Sequence, residues 1–199
     1  MAKAFTIRVD TSAVKSLFDA VETEMYAAAR VAAQAGAQVL YDKVQQNVSS
    51  IGVKTGNLKN SIYQVFDKEA SVKVGTYQGK DAYSQATYSV SWRTARTGTG
   101  TIAPHGALIE YGYLQRYASY INDKGQWKTA IRPEMQGKPK PRRRASQAEK
   151  DAYYVLRKDG PVQHPARPFI RSAASSFDRA AQAMTAAFTA ELKRKGVAK

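Results

Sequence analysis

His105, His164 and Glu110 are the side chains through which this chain could do acid–base or metal chemistry. The two histidines are the only ones in 199 residues, each stands beside a proline, and Glu110 is the only acid between Asp81 and Asp123. Two imidazoles and a carboxylate can hold a cation, but no H-E-x-x-H or similar spacing places them on one helical face. Thr97-Gly98-Thr99-Gly100-Thr101 is rich in glycine, yet the Lys-Ser/Thr pair of a phosphate-cradling loop does not follow it. It reads as a flexible loop. Without cysteine, thiol catalysis, disulfides and thiolate metal sites are excluded. No catalytic, cofactor or metal residue is assigned, so a structural or interaction protein is expected rather than an enzyme.

The charge is the second chemical signal. A formal net charge of +15 and a pI near 10.0 point to a polyanionic environment: nucleic acid, an acidic protein or a membrane surface. Leu114 to Val162 carries twelve cations against five anions. Its densest part runs Lys138-Pro139-Lys140-Pro141-Arg142-Arg143-Arg144, where prolines and mutual repulsion forbid regular structure. Arg142, Arg143 and Arg144, with Trp127 nearby in sequence, are the candidate contact to such a partner. They suit phosphates or acidic side chains equally, and no helix-turn-helix or RNA-binding signature favours nucleic acid. No run approaches 18 apolar residues, so nothing is expected to span a bilayer, and no membrane is counted among the expected partners. The first residues lack a continuous apolar core, so no signal peptide is expected and the chain is read as made in the cytoplasm.

Phe5, Ile7 and Val9 alternate as in a short strand, and Asp10 to Ser12 offer N-cap side chains. Val14, Leu17, Phe18, Val21, Met25, Ala28, Ala32, Val39 (with Leu40) and Val44 then recur at helical steps. They predict an amphipathic helix from about Ser12 to Val48, long enough to reach a neighbouring subunit. Its alanine-rich middle permits close packing of another helix, and Gly36 is a candidate kink or break. Thr55-Gly56-Asn57 has turn chemistry. Leu58 to Phe66 and Val72 to Val74 read as strands, Gly75 to Tyr83 as a hairpin loop, and Thr87 to Arg93 as a strand with one face in solvent. Pro104 to Tyr113 reads as a short helix stopped by Gly112, whose missing Cβ permits the left-handed conformation. Glu110 near its end opposes the helix dipole and calls for a partner, an arginine of this chain or of a neighbour; the alternative is an exposed Glu. Tyr117 to Ile121 and Trp127 to Ile131 can pair across Asn122-Asp123-Lys124-Gly125. Ser146 and Glu149 form a capping-box pattern. Pro168 is expected near the first turn of a last helix that reaches about Lys195, with Phe169, Ala173, Phe177, Ala181 (with Ala180), Met184, Phe188 and Leu192 as its buried stripe.

The expected fold is therefore α+β: a small antiparallel sheet flanked by a long N-terminal helix and a C-terminal helix. It is read as a single domain over residues 1–199, with 114–162 a long basic extended arm or insertion.

Three short motifs occur in order: Thr55-Gly56-Asn57-Leu58-x-x-Ser61-Ile62, Ala107-x-x-Glu110-Tyr111-Gly112, and Ala166-Arg167-Pro168-Phe169-Ile170. Bracketed by a first and a last helix, they resemble the tail-completion, or neck, protein family of long-tailed bacteriophages, from about Val14 to Leu192. The resemblance implies a non-catalytic virion protein at the head–tail junction. It implies a homo-oligomeric ring, hexameric to match a tail tube, that joins capsid to tail and lets DNA pass. It implies neighbours among head-completion or connector rings, tail terminator and tail tube, with non-specific contact to genomic DNA as a further option. Thr55, Gly56, Leu58, Gly112, Pro168 and Phe169 become fold-motif residues. Glu110 and Tyr111 join Arg142, Arg143, Arg144 and Trp127 as expected interface residues. The alternative is a basic nucleic-acid-binding protein without catalytic activity.

Overall fold

The computed structural model describes residues 7–9, 22–52, 56–77, 80–95 and 100–196. The chain forms two compact units, one made of Met1–Glu110 with Arg167–Lys199, the other of Tyr111–Ala166. The fold is α+β as expected.

The first unit is built on helix α1, Glu22–Ile51. Met25, Ala28, Ala29, Ala32, Ala33, Ala37, Leu40, Val44 and Val48 are its buried face, recurring every three or four residues. The expected stretch before Glu22, with Val14, Leu17, Phe18 and Val21, lies outside the described residues. Helix α1 runs unbroken through Gly36. The glycine serves close packing instead: a Cβ there would stand 2.5 Å from Met184 Cγ and 3.2 Å from the Ala180 carbonyl.

Strands β1 (Ile7–Val9), β2 (Ile62–Phe66) and β5 (Tyr88–Trp92) form an antiparallel sheet in the order β1-β5-β2. Every residue of β5 is buried, Ser89 and Ser91 included. The expected solvent face does not exist, because the strand is central and its small serines fit a covered surface. Strand β2 begins four residues later than expected. Helix α2, Asn57–Ser61, precedes it, opened by Gly56 at φ 72° and closed by the Ser61 hydroxyl donating to the Leu58 carbonyl at 2.7 Å. Leu58 and Ser61, three apart, both turn inward, which a strand could not achieve with that spacing.

Strands β3 (Val72–Tyr77) and β4 (Lys80–Gln85) pair over most of the segment expected to be loop. Ala82 and Tyr83 are buried and β4 packs on α1, so burial extends the strand beyond Gly75. The last helix also departs from expectation. Arg171–Ser176 is a 3-10 helix and α5 follows as Phe177–Arg194, so Pro168 precedes the first helical residue by three positions. In the three-residue period Ala173 and Ser176 face inward, and the α-helical stripe resumes at Ala180, Met184, Phe188 and Leu192. Phe177 and Ala181 consequently face out.

In the second unit, β6 (Tyr113–Gln115) pairs with β9 (Val162–His164), and β7 (Ser119–Ile121) with β8 (Trp127–Thr129). The second pair is the hairpin expected across Asn122 to Gly125; the Asn122 side-chain oxygen accepts the amides of Lys124 and Gln126, and Gly125 has φ 70°. The helix numbered α4, Gln147–Tyr153, carries the complete Ser146–Glu149 capping box. Asp151 ties the unit together. It accepts two bonds from Arg116 (3.0 and 2.6 Å), one from the Tyr117 hydroxyl (2.8 Å) and one from Gln147 (2.7 Å). Tyr153 is the one fully buried residue among 111–166, all of which are described.

Candidate functional site

Helix α3, Gly106–Tyr111, ends where expected, with Gly112 at φ 73°. A Cβ on Gly112 would stand 2.7 Å from the His164 carbonyl oxygen, so glycine is required for space as well as conformation. Glu110, two residues before the stop, is fully buried. One carboxylate oxygen accepts the backbone amides of Phe169 (2.7 Å) and Ile170 (3.1 Å). The other accepts the Arg171 amide (3.0 Å) and Arg171 Nε (3.1 Å). Arg171 Nη2 also donates to the Glu110 carbonyl at 2.6 Å, and the Arg167 amide to Ile109 at 2.8 Å. The carboxylate thus caps the free amides that open the 3-10 helix, where the dipole favours negative charge. This is the arginine partner the sequence called for, and the exposed alternative is set aside.

The three sequence motifs therefore meet in one place. Ile62 pairs with Trp92 across β2 and β5. Gly106 abuts the Trp92 indole, with no room for a Cβ. Phe169 meets the same ring edge-on, centroids 5.4 Å apart. Asn47 of α1 adds bonds to the Phe169 carbonyl and the Ser172 hydroxyl, both 2.9 Å. Phe169 lies in this arrangement, Pro168 directly precedes it, Leu58 is buried in the same core, Gly56 opens α2 and Gly112 ends α3; Thr55 lies outside the described residues. Trp92, Asn47 and Arg171 were not singled out from the sequence, because their partners are distant in the chain. Of the three, Arg171 alone adjoins a motif, as the residue after Ile170.

The charged candidates lie in the second unit. Arg142, Arg143 and Arg144 are exposed on a turn held at several points. The Tyr153 hydroxyl donates to the Lys138 carbonyl (3.0 Å), Lys150 Nζ to the Arg143 carbonyl (3.0 Å), and the Ala145 amide to the Arg142 carbonyl (2.9 Å). The guanidinium groups are thus displayed from a fixed backbone. Pro139, Pro141, Arg142, Arg144, Ala145 and Glu149 line a hollow there. Trp127 stands on β8 with 66 % of its surface exposed, and Tyr111 is about half exposed.

The histidines do other things. The His105 carbonyl accepts the Leu108 and Ile109 amides at the start of α3. His164 stacks on Tyr113 at 4.5 Å and meets Gln115 Oε1 at 2.9 Å. No group of His, Asp and Glu fit to hold a metal occurs among the described residues, and no described helix is long and apolar enough to cross a membrane. Thr97 to Thr99 of the glycine-rich loop lie outside the described residues.

Motif residues engaged in holding the first unit, and a fixed cationic turn in the second, are the features of a structural assembly component. Over residues 13–123 the sequence matches the family described as "Bacteriophage HK97-gp10, putative tail-component", and the chain belongs to that family. The match agrees with the neck-family resemblance and makes this a structural protein of the phage tail. It spans α1, strands β2 to β5 and Glu110, begins after β1, and ends before Arg142 and Arg171. Neither a curated protein nor a solved structure matches the chain.

Proposed function

We propose that this tail component acts at the neck, as a ring of subunits, most simply six, that joins the filled head to the tail. The observation that carries the reading is the fixed display of Arg142, Arg143 and Arg144 in the second unit of a chain belonging to a tail-component family. A basic turn held in place loses little further entropy on docking, which suits a stable joint between protein layers. Its partners are the acidic faces of adjoining layers: a head-completion or connector ring, a tail terminator or the tail tube. Contact with passing genomic DNA is secondary, since tight binding would hinder its exit. Tyr111 and Trp127 belong to the proposed interface through their exposure, and Glu110 through the helix it positions.

Replacing Arg142, Arg143 and Arg144 together with Ala is expected to leave the chain folded and to reduce the yield of joined particles. Normal joining by that variant would overturn the role of the basic turn. Electron microscopy of lysates lacking the gene tests the neck reading itself: filled heads and separate tails are expected side by side, and normally joined particles would sink it. The net charge of +15 favours the second reading, non-catalytic nucleic-acid binding. That reading requires tight binding to duplex or single-stranded DNA that falls steeply with salt.

A further inference from the structure

The β7–β8 ribbon is exposed along both strands. Ile121 and Trp127 stand directly opposite each other, 55 % and 66 % exposed. Residues in register share a face of the ribbon, so the two form one apolar contact. On the other face Tyr120, 52 % exposed, stands opposite Lys128. The unit that carries the ribbon buries a single residue completely and has no cysteine. A unit of that size with so small a core ordinarily gains its remaining stability from disulfides, metals or association.

The charge of this unit narrows what can cover the ribbon. Twelve cations against five anions oppose a second copy of the same unit, whereas an acidic apolar segment is attracted. The most acidic stretch of the chain is 10–24, with Asp10, Asp19, Glu22 and Glu24 against Lys15. The same stretch holds Val14, Leu17, Phe18 and Val21 at helical spacing, leading into α1. We infer that the ribbon is a docking element for residues 10–24 of a second copy of this chain. Ile121 and Trp127 receive its apolar side chains, and Lys124 in the turn between the strands receives its acids. The contact is heterologous, one surface of each copy meeting a different surface of the next, which is the kind that closes rings.

This inference rests on the self-assembling part of the proposed function. The cysteine-free chain allows a direct test with two single-cysteine variants of the full-length protein, Asp19→Cys and Lys124→Cys. Mixed and treated with a flexible bis-maleimide, they are expected to give a product of twice the chain mass, in excess over either variant alone. Adding Trp127→Ser to the Lys124→Cys chain is expected to lower that yield about tenfold or more, the effect of losing one anchoring aromatic. Circular dichroism of the serine variant checks that the fold is kept. Absence of the mixed product, or a yield that Trp127→Ser leaves unchanged, would overturn the inference. The neck reading would still stand or fall on the particle microscopy, which does not depend on which surfaces join the copies.

Discussion

Glu110 is the residue on which the first unit turns. Its carboxylate gathers three backbone amides and one guanidinium nitrogen in a site without solvent. Charge-assisted bonds of this kind are roughly twice as strong as neutral ones, and a vacated buried donor costs more than the bond was worth. Glu110→Gln keeps the size but turns an NH2 group towards amide donors. It is expected to lower stability by about 2–4 kcal/mol, read from urea denaturation of the full chain. Arg171→Ala should cost less, since the arginine is partly exposed and the three amides keep their acceptor. A Gln variant as stable as the parent would refute the capping role. At this scale the sequence was half legible. A lone acid at the wrong end of a short helix announced that it needed a partner. Which arginine answered, 61 positions further on, depends on tertiary structure that no local spacing encodes.

The elements explain why some stretches were readable and others not. The Asn122–Gly125 turn, the Ser146–Glu149 box and the Gly112 stop were all legible, because each is fixed by bonds within a few residues. The start of β2, the length of β3 and β4, and the burial of both faces of β5 were not, because packing against α1 and neighbouring strands decided them. The last helix shows the intermediate case. Its buried stripe was readable from Ala180 onward, but a change of period before it turned Phe177 outward. Close approach of α1 and α5 depends on a hydrogen at position 36 where other residues carry carbon. Gly36→Val is expected to cost about 1–3 kcal/mol by overpacking against Met184 and the Ala180 carbonyl. Met184→Ala in the same chain should restore part of the loss, and thermal melts of the single and double variants would show it. A fully additive pair would refute the contact.

On the scale of the whole molecule, the two units are held by different means. The first rests on a hydrophobic core, the second mainly on hydrogen bonds and Asp151. Arg116 beside Asp151, with Gln147 and Tyr117, holds its carboxyl well below the ordinary value of 3.8. A depressed carboxylate contributes its full stabilisation above the unfolded-state pKa and loses it as pH falls through the lower folded value. Residues 111–166 should therefore keep their protease resistance from pH 8 down to about 4, and loosen only in stronger acid. Asp151→Asn should make that stretch cleavable at neutral pH while 22–52 and 167–196 stay protected. Equal cleavage of parent and variant would refute the role given to Asp151. One bond described above has a wider consequence. The Arg167 amide donates to the Ile109 carbonyl at 2.8 Å, so the chain leaves the first unit and rejoins it at a single point. Once a loop is closed at its base, its length matters little: doubling it adds only about 0.6 kcal/mol of chain entropy. The frame that carries the family motifs is therefore nearly indifferent to how much polypeptide hangs between Gly112 and Ala166. Adaptation to a new neighbour can proceed there by exchange, lengthening or loss, while the frame itself goes unaltered.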